Sequence, residues 1–166
     1  MPFPANTNLA EISPATRGSG IPEIPAATSN RGIIPEIPAA TSNRSILVID
    51  DSALIREAAK IALDAIGGWR IVTASRGEEG IERAVAERFD AILLDVEMPG
   101  MDGIAVAERL HELPATRALP IVLLTAHDRR EDRERFRHAP VAGVIQKPFQ
   151  LSDLARQIGA LLGWSA

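Results

Sequence analysis

The chain has 166 residues, a formal net charge of −4 and no cysteine. This length allows one ordinary domain and an extension. The acidic balance argues against broad nucleic-acid binding by this chain alone, and the lack of cysteine excludes a disulfide framework or a thiolate metal site.

Residues 1–44 form the first segment of the chain and are rich in Pro, Ala, Ser, Thr and Asn. The sequence IPEIPAATSNR occurs twice, at 21–31 and 34–44. The repeat is short and has few apolar residues to bury, so we predict a disordered, proline-rich tail rather than a solenoid. Two alternatives stay open: a docking tail that presents Ile-Pro-Glu-Ile-Pro as a linear motif, and a mis-assigned start site.

The N-terminal sequence MPFPANTNLAEISP lacks the basic and apolar regions of a signal peptide. No apolar stretch is long enough to span a bilayer. We therefore expect a cytoplasmic protein that binds neither membrane nor nucleic acid.

From residue 45 to 166 we predict one domain in which short apolar runs alternate with helical patterns. The predicted strands are 45–49, 70–74, 91–94, 121–124 and 143–146. The predicted helices are 52–66, 77–87, 103–113, 129–138 and 151–162. Gly67 and Gly68 are expected to end the first helix, and Ile81 and Val85 to form the inner face of the second.

Five alternating strand–helix units predict an α/β fold with a parallel sheet covered by helices on both faces. The predicted strand order is 2-1-3-4-5, the flavodoxin-like, doubly wound arrangement.

Polar residues follow four of the predicted strands. The run SILVIDDS ends in Asp50 and Asp51, AILLD ends in Asp95, LPIVLLTA ends near Thr125, and VIQKPF carries Lys147. Because the carboxyl ends of parallel strands meet at one edge of the sheet, these groups are expected to converge. Three acids, a hydroxyl and an amine together predict a site for a divalent metal and a phosphoryl group. Taken alone, the Asp50–Asp51 pair would be typical of a helix N-terminus.

These signals, in this order and spacing, resemble the response-regulator receiver domain (CheY-like) of two-component signalling, from residue 45 to about 164 but not in the tail. The resemblance implies that Asp95 takes a phosphoryl group from the phosphohistidine of a histidine kinase or histidine phosphotransfer protein. It also implies a Mg²⁺ ion held by Asp51, Asp95 and the main-chain carbonyl of Glu97, with Asp50 acting through a metal-bound water.

The resemblance further assigns the phosphate-binding groups. Thr125 would donate a hydrogen bond to the phosphoryl group, Lys147 would neutralise its charge, and the small Ala126 would leave it accessible. A cis Lys147–Pro148 bond is implied as well. Glu97 and His127 occupy the positions that tune hydrolysis of the acyl phosphate, although His127 is equally interpretable as an ordinary exposed histidine.

The sequence departs from the family pattern at three places, one of which is His138-Ala139-Pro140, where the fourth helix is expected to stop abruptly. Val144 stands where relatives usually have a Tyr or Phe switch, so Thr125 alone would report the phosphate. The segment HDRREDRERFRH is unusually charged. We favour a solvated helix with pairs such as Glu131–Arg135 over a docking face, with Phe136 as its apolar anchor.

The resemblance thus predicts a stand-alone receiver that signals by protein contact through its fourth helix, fifth strand and fifth helix. It would be no enzyme beyond catalysing its own phosphorylation and slow dephosphorylation. One alternative is an interaction module that works without phosphorylation. Another is an aspartyl-nucleophile phosphatase, which is disfavoured because Glu97, not Asp, stands two residues after Asp95.

Overall fold

The computed structural model describes residues 43–126 and 130–164, apart from the side chains of residues 130, 131 and 133. The predictions for the repeats in residues 1–42 and for His127 fall outside the described residues.

Five strands and five helices alternate along the described chain. The strands are β1 (Ser45–Ile49), β2 (Arg70–Ala74), β3 (Ala91–Asp95), β4 (Ile121–Thr125) and β5 (Gly143–Gln146). The helices are α1 (Ala53–Gly67), α2 (Gly77–Ala86), α3 (Gly103–Glu112), α4 (Arg130–His138) and α5 (Leu151–Leu162). The strands form one parallel sheet in the order β2-β1-β3-β4-β5, which confirms the predicted fold class.

Alternate residues of each central strand enter two separate apolar layers. In β1, Ile46 and Val48 pack in the layer that also contains Leu63 of α1 and Leu154 of α5. The next residue of the same strand, Leu47, packs in the layer that includes α2, α3 and α4. Both layers are buried, so each leucine or isoleucine in them contributes about 2 kcal/mol of transfer free energy.

Helix α1 is bounded by local signals that the sequence contains. The Ser52 hydroxyl accepts a hydrogen bond from the Ile55 N–H at 3.4 Å, which caps the first turn. Gly68 adopts the left-handed conformation with φ 61°, and its N–H donates to the Asp64 carbonyl at 2.9 Å. These caps place the helix start directly after the Asp50–Asp51 pair.

Helix α2 differs from its prediction in the face that it buries. Its buried residues are Gly77, Gly80 and Ala84, whereas Val85 is 52% exposed. A Cβ atom on Gly80 would overlap Ile49 Cδ1, so the helix backbone lies too close to β1 for large side chains. The prediction that Val85 faces inward is therefore wrong, because the buried stripe consists of small residues.

The described chain joins the domain one residue earlier than predicted. The Arg44 carbonyl accepts a hydrogen bond from the Arg70 N–H at 2.8 Å. The Arg44 guanidinium lies 4.1 Å from the ring centroid of Trp164, and Trp164 meets Trp69 edge-on with centroids 5.4 Å apart. Arg44 thus packs on the domain, and the two tryptophans form one cluster.

Among the helices of the described part, none is long and apolar enough to cross a membrane.

Candidate functional site

The sheet register aligns the polar strand ends. Ile49 pairs with Leu94, which puts Asp50 level with Asp95 in the neighbouring strand. Asp95 pairs with Leu124, and Thr125 pairs with Gln146, the residue before Lys147. The convergence predicted from the sequence is therefore present in the structure.

Asp50 is a fully buried carboxylate that receives two hydrogen bonds. Its Oδ1 accepts the Ser52 N–H at 2.8 Å, and its Oδ2 accepts from Lys147 Nζ at 2.9 Å. A buried carboxylate is costly unless it is paired and hydrogen-bonded. Asp50 meets that requirement, and it fixes the position of the Lys147 ammonium.

Asp95 is 2% exposed and accepts hydrogen bonds from Lys147 Nζ at 3.1 Å and from the Glu97 N–H at 3.3 Å. Burial, followed by the negative charge of Asp50, raises the pKa of Asp95. Lys147 and the Glu97 N–H act in the opposite direction without cancelling the rise. Positive charge near Asp95 therefore favours its ionised form.

Lys147 donates hydrogen bonds from its main-chain N–H as well as from its ammonium group. Its N–H donates to the Thr125 carbonyl at 2.7 Å, and the Lys147–Pro148 bond is cis, as the resemblance implies. Burial by itself lowers the pKa of Lys147, but its hydrogen bonds and charge interactions with Asp50 and Asp95 outweigh burial and raise that pKa. The ammonium is therefore a stable cation between two acids.

Asp51 completes an acidic trio. Carboxylate oxygens of Asp50, Asp51 and Asp95 lie within 4.8 Å of one another, and Asp51 is the exposed member. Hard oxygen ligands of this kind suit Mg²⁺, which binds proteins through few carboxylates and keeps several waters. Lys147 neutralises only one of the three negative charges, so the donor set and its uncompensated charge both fit a divalent cation.

Arg56 also lies at the site, and no motif in the sequence predicted it there. From α1 its Nη1 donates to the main-chain carbonyls of Asp50 at 2.8 Å and Asp51 at 3.0 Å. These bonds tie the loop that carries two of the acids to the first turns of α1. The sequence signal was an arginine five residues after Asp51, about one helical turn beyond the N-cap Ser52.

Gly103, at the start of α3, allows close packing against the main chain of Asp95. A Cβ on Gly103 would overlap the Asp95 carbonyl oxygen and lie 2.8 Å from Val96 Cα. The Gly103 N–H also donates to the Val96 carbonyl at 3.0 Å. The loop after Asp95 is thus held by contacts that only glycine permits.

The remaining predicted site residues occupy distinct environments. Thr125 is buried at the end of β4, whereas Ala126, Val144 and the Glu97 side chain are exposed. Val144 of β5 pairs with Leu123 of β4. The roles assigned to these residues, and the Glu97 carbonyl as a ligand, stay predictions.

Among the described side chains, Arg135 of α4 forms an ion pair with Asp102 at the start of α3 that no sequence pattern predicted. Asp102 caps α3 by accepting the Ile104 N–H at 2.8 Å, and its other oxygen accepts from Arg135 Nη2 at 2.8 Å. The predicted partner, Glu131, has a side chain outside the described residues. Phe136 is buried, as expected for the anchor of this helix.

Residues 46–159 match the family model of the response regulator receiver domain. Among curated proteins, the chain is 38% identical over 117 residues to the probable transcriptional regulatory protein TcrX of Mycobacterium tuberculosis, covering 70% of this chain and 48% of the relative. It is 36% identical over 116 residues to the transcriptional regulatory protein ResD of Bacillus subtilis, covering 70% and 47%. The chain thus spans about half the length of these relatives.

Solved structures give the same result for the fold. The chemotaxis protein CheY4 of Vibrio cholerae aligns with a TM-score of 0.68 at 28% identity, covering 72% of this chain and 99% of that chain. The receiver domain of a Pseudomonas aeruginosa sensor histidine kinase, described with a magnesium ion coordinated in its active-site cleft, aligns with a TM-score of 0.66 at 27% identity, covering 74% and 99%.

Proposed function

The chain belongs to the response regulator receiver domain family, and we propose that its Asp95 accepts a phosphoryl group from a phosphohistidine donor in the presence of Mg²⁺. The observation that carries this proposal is the buried Asp95 carboxylate, 3.1 Å from the Lys147 ammonium and grouped with the acids Asp50 and Asp51.

Asp95 is proposed as the nucleophile. A carboxylate oxygen attacks phosphorus, the bond from phosphorus to the donor imidazole breaks, and an acyl phosphate forms. Mg²⁺, when bound, supplies positive charge against the phosphoryl oxygens. Asp51, Asp95 and the Glu97 carbonyl would hold the ion, with Asp50 acting through water.

Lys147 and Thr125 are proposed to bind the phosphoryl group. The Lys147 ammonium already contacts Asp95 at 3.1 Å, so it lies beside the atom that would receive the phosphoryl group. Asp50 also contacts that ammonium, at 2.9 Å. Such preorganised charge stabilises a transition state without rearrangement. We propose that the chain acts catalytically only on itself.

A protein donor is favoured by the apolar surface next to the acids. On α1, Leu54 is 78% exposed and lies three residues after Asp51, and Ile61 is 67% exposed. Residues seven apart lie on one face of a helix, so the two form a stripe that starts at the site. We propose that a histidine kinase or histidine phosphotransfer protein in the cytoplasm contacts this stripe.

The proposed output surface is formed by α4, β5 and α5. Val144 of β5 and Leu151 and Leu161 of α5 are exposed apolar side chains, suited to contact with a protein. The Lys147 N–H joins this surface to Thr125. Because Val144 has no ring to turn inward, we expect a small conformational change on phosphorylation.

The relatives named as transcriptional regulators leave open a role for DNA. The net charge of −4 opposes contact with phosphates, and we therefore propose a protein as the direct partner. Backbone chemical shifts with and without a phosphoryl mimic test the output surface. Changes concentrated in α4, β5 and the start of α5 support it, whereas changes confined to α1 and α2 contradict it.

Labelling with a small-molecule phosphodonor and Mg²⁺ tests the phosphoacceptor. We expect stoichiometric label at Asp95, its loss in Asp95→Asn, and its retention in the surface control Asp64→Asn. Label that persists in Asp95→Asn would refute the assignment. Multiple turnover of a small phosphate ester in the same assay would favour the phosphatase alternative, and failure to take label would favour the phosphorylation-independent module.

A further inference from the structure

A groove of about 440 Å³ lies between α2 and α3. Its apolar lining comes from Ile81, Met101 and Ala105. Ala105 is exposed, and Ile81 and Met101 are only partly buried. Both helices belong to the layer opposite α1 and α5, so the groove is separate from the proposed donor stripe on α1.

The rim of this groove carries an excess of negative charge. Four glutamates and one arginine line it: Glu78, Glu82, Glu108, Glu112 and Arg109. The arginine pairs with Glu112 at 3.0 Å. Within the described part of the chain, Glu78, Glu82 and Glu108 have no lysine or arginine within ion-pair distance.

The neighbouring glutamate on α2 behaves differently. Glu79 pairs with Arg83 at 3.0 Å and also accepts the Ser75 N–H at 2.8 Å. The acids of α2 thus divide into one that is used structurally and two, Glu78 and Glu82, that line the groove. The two acids of α2 that have no ion pair within the described residues therefore lie beside the apolar strip.

An apolar strip between rows of like charge matches one kind of ligand closely. A helix with an apolar face would cover Ile81, Met101 and Ala105, and lysine or arginine beside that face would meet the glutamates. Methionine suits such a contact because its flexible thioether adapts to varied shapes. Along α3 the lining runs from Ala105 to Glu112, so the groove offers a contact about 11 Å long, or about two helical turns.

We propose that the groove between α2 and α3 docks a basic amphipathic helix of a partner protein. This interaction goes beyond the proposed phosphoacceptor function and requires neither Asp95 nor Mg²⁺. It gives the chain a third protein contact, apart from the α1 stripe and the α4–β5–α5 surface, that can be held while the acidic site meets its donor.

Binding of a defined probe to the full chain tests the proposal. The probe is a fluorescent peptide of about 15 residues, long enough for partial helicity, with leucines at helical spacing and lysines elsewhere. Its control has the same composition in an order that gives no apolar face. We expect the patterned peptide to bind at least tenfold more tightly than the scrambled one, and its binding to weaken as salt is raised.

Charge reversal locates the site. Glu82→Lys/Glu108→Lys should weaken peptide binding at least tenfold while leaving phosphorylation of Asp95 intact. The matched control, Glu57→Lys/Asp64→Lys on α1, makes the same change in net charge and should leave affinity within about twofold. Equal losses in the two double variants would mean non-specific attraction and overturn the proposal.

Chemical-shift mapping on the wild-type chain supplies a measurement that does not depend on folding of a variant. Peptide-induced shifts should centre on Ile81, Met101 and Ala105. Shifts centred on α1 or on the α4–β5–α5 surface would overturn the proposal. A further outcome concerns the chain without peptide. If Glu82→Lys/Glu108→Lys changes the resonances of residues 1–42, the groove binds the chain's own N-terminal segment, and the proposal of a partner helix is overturned.

Discussion

Replacing Lys147 by methionine would leave Asp50 and Asp95 buried side by side without their cation. Methionine keeps most of the length of the side chain and removes its charge and its hydrogen bonds at 2.9 and 3.1 Å. The main-chain bond from residue 147 to the Thr125 carbonyl does not depend on the side chain. The substitution therefore tests the charge itself.

The expected cost follows from burial. Removing one partner of a buried ion pair costs about 3–5 kcal/mol. The Lys147 side chain is 19% exposed, whereas that of Asp50 is 0% and that of Asp95 is 3% exposed. The partial exposure favours the lower end, about 3 kcal/mol near neutral pH, or roughly 10 °C in Tm for a domain of this size.

The loss of unfolding free energy in Lys147→Met should increase with pH. The pKa of Asp95 is raised by burial and then by Asp50, so folding favours its protonated form. The contribution of Asp95 to the free energy of unfolding is then fully present below the pKa that Asp95 has in the unfolded chain. It is lost as pH rises through the higher pKa that Asp95 has in the folded chain. Without Lys147 that pKa rises further, and the difference between variant and wild type should grow from acidic to neutral pH.

Denaturant unfolding in metal-free buffer at several pH values measures this difference. The matched control is Lys60→Met, because Lys60 is the only other lysine of the chain and is exposed on α1. It should change stability by less than about 0.5 kcal/mol. The electrostatic reasoning would be refuted if Lys147→Met lowered the free energy of unfolding by the same amount at every pH. It would also be refuted if Lys147→Met and Lys60→Met lowered it equally.

Three further substitutions test separate parts of the site. Asp51→Ala should weaken Mg²⁺ binding in a metal titration more than Asp50→Ala, since direct ligation is expected only of Asp51; equal losses would contradict that ranking. Gly103→Ala should destabilise the fold by about 3 kcal/mol in denaturant melts, because the new methyl group meets main-chain atoms that cannot move aside; a neutral effect would show that the loop yields. Asp102→Ala removes a helix cap and an ion pair and should cost about 1–2 kcal/mol, whereas Arg135→Ala removes only the exposed pair and should cost less than about 1 kcal/mol; the reverse order would argue against the cap.

Much of the fold was predictable because its signals are local. Strand bounds follow from apolar runs bounded by turn residues, and the bounds of β1, β2, β5 and α5 agree with prediction. Helix α1 follows from Ser52 as a cap and Gly68 as a stop. Strands β3 and β4 run one residue further than predicted, because Asp95 and Thr125 still pair with their neighbours. A polar side chain looks like a strand end in sequence, although the backbone ladder does not depend on it.

The sequence by itself determined which groups lie at the strand ends, and therefore the convergence of Asp50, Asp95 and Lys147. Which of these groups form hydrogen bonds with one another was decided by the tertiary structure alone. Lys147 bonds Asp50 across 97 positions and Arg135 bonds Asp102 across 33, and no periodic pattern reports contacts at such separation. Tertiary packing also decided the inward face of α2, because the approach of its backbone to β1, and not side-chain hydrophobicity, excludes large residues there.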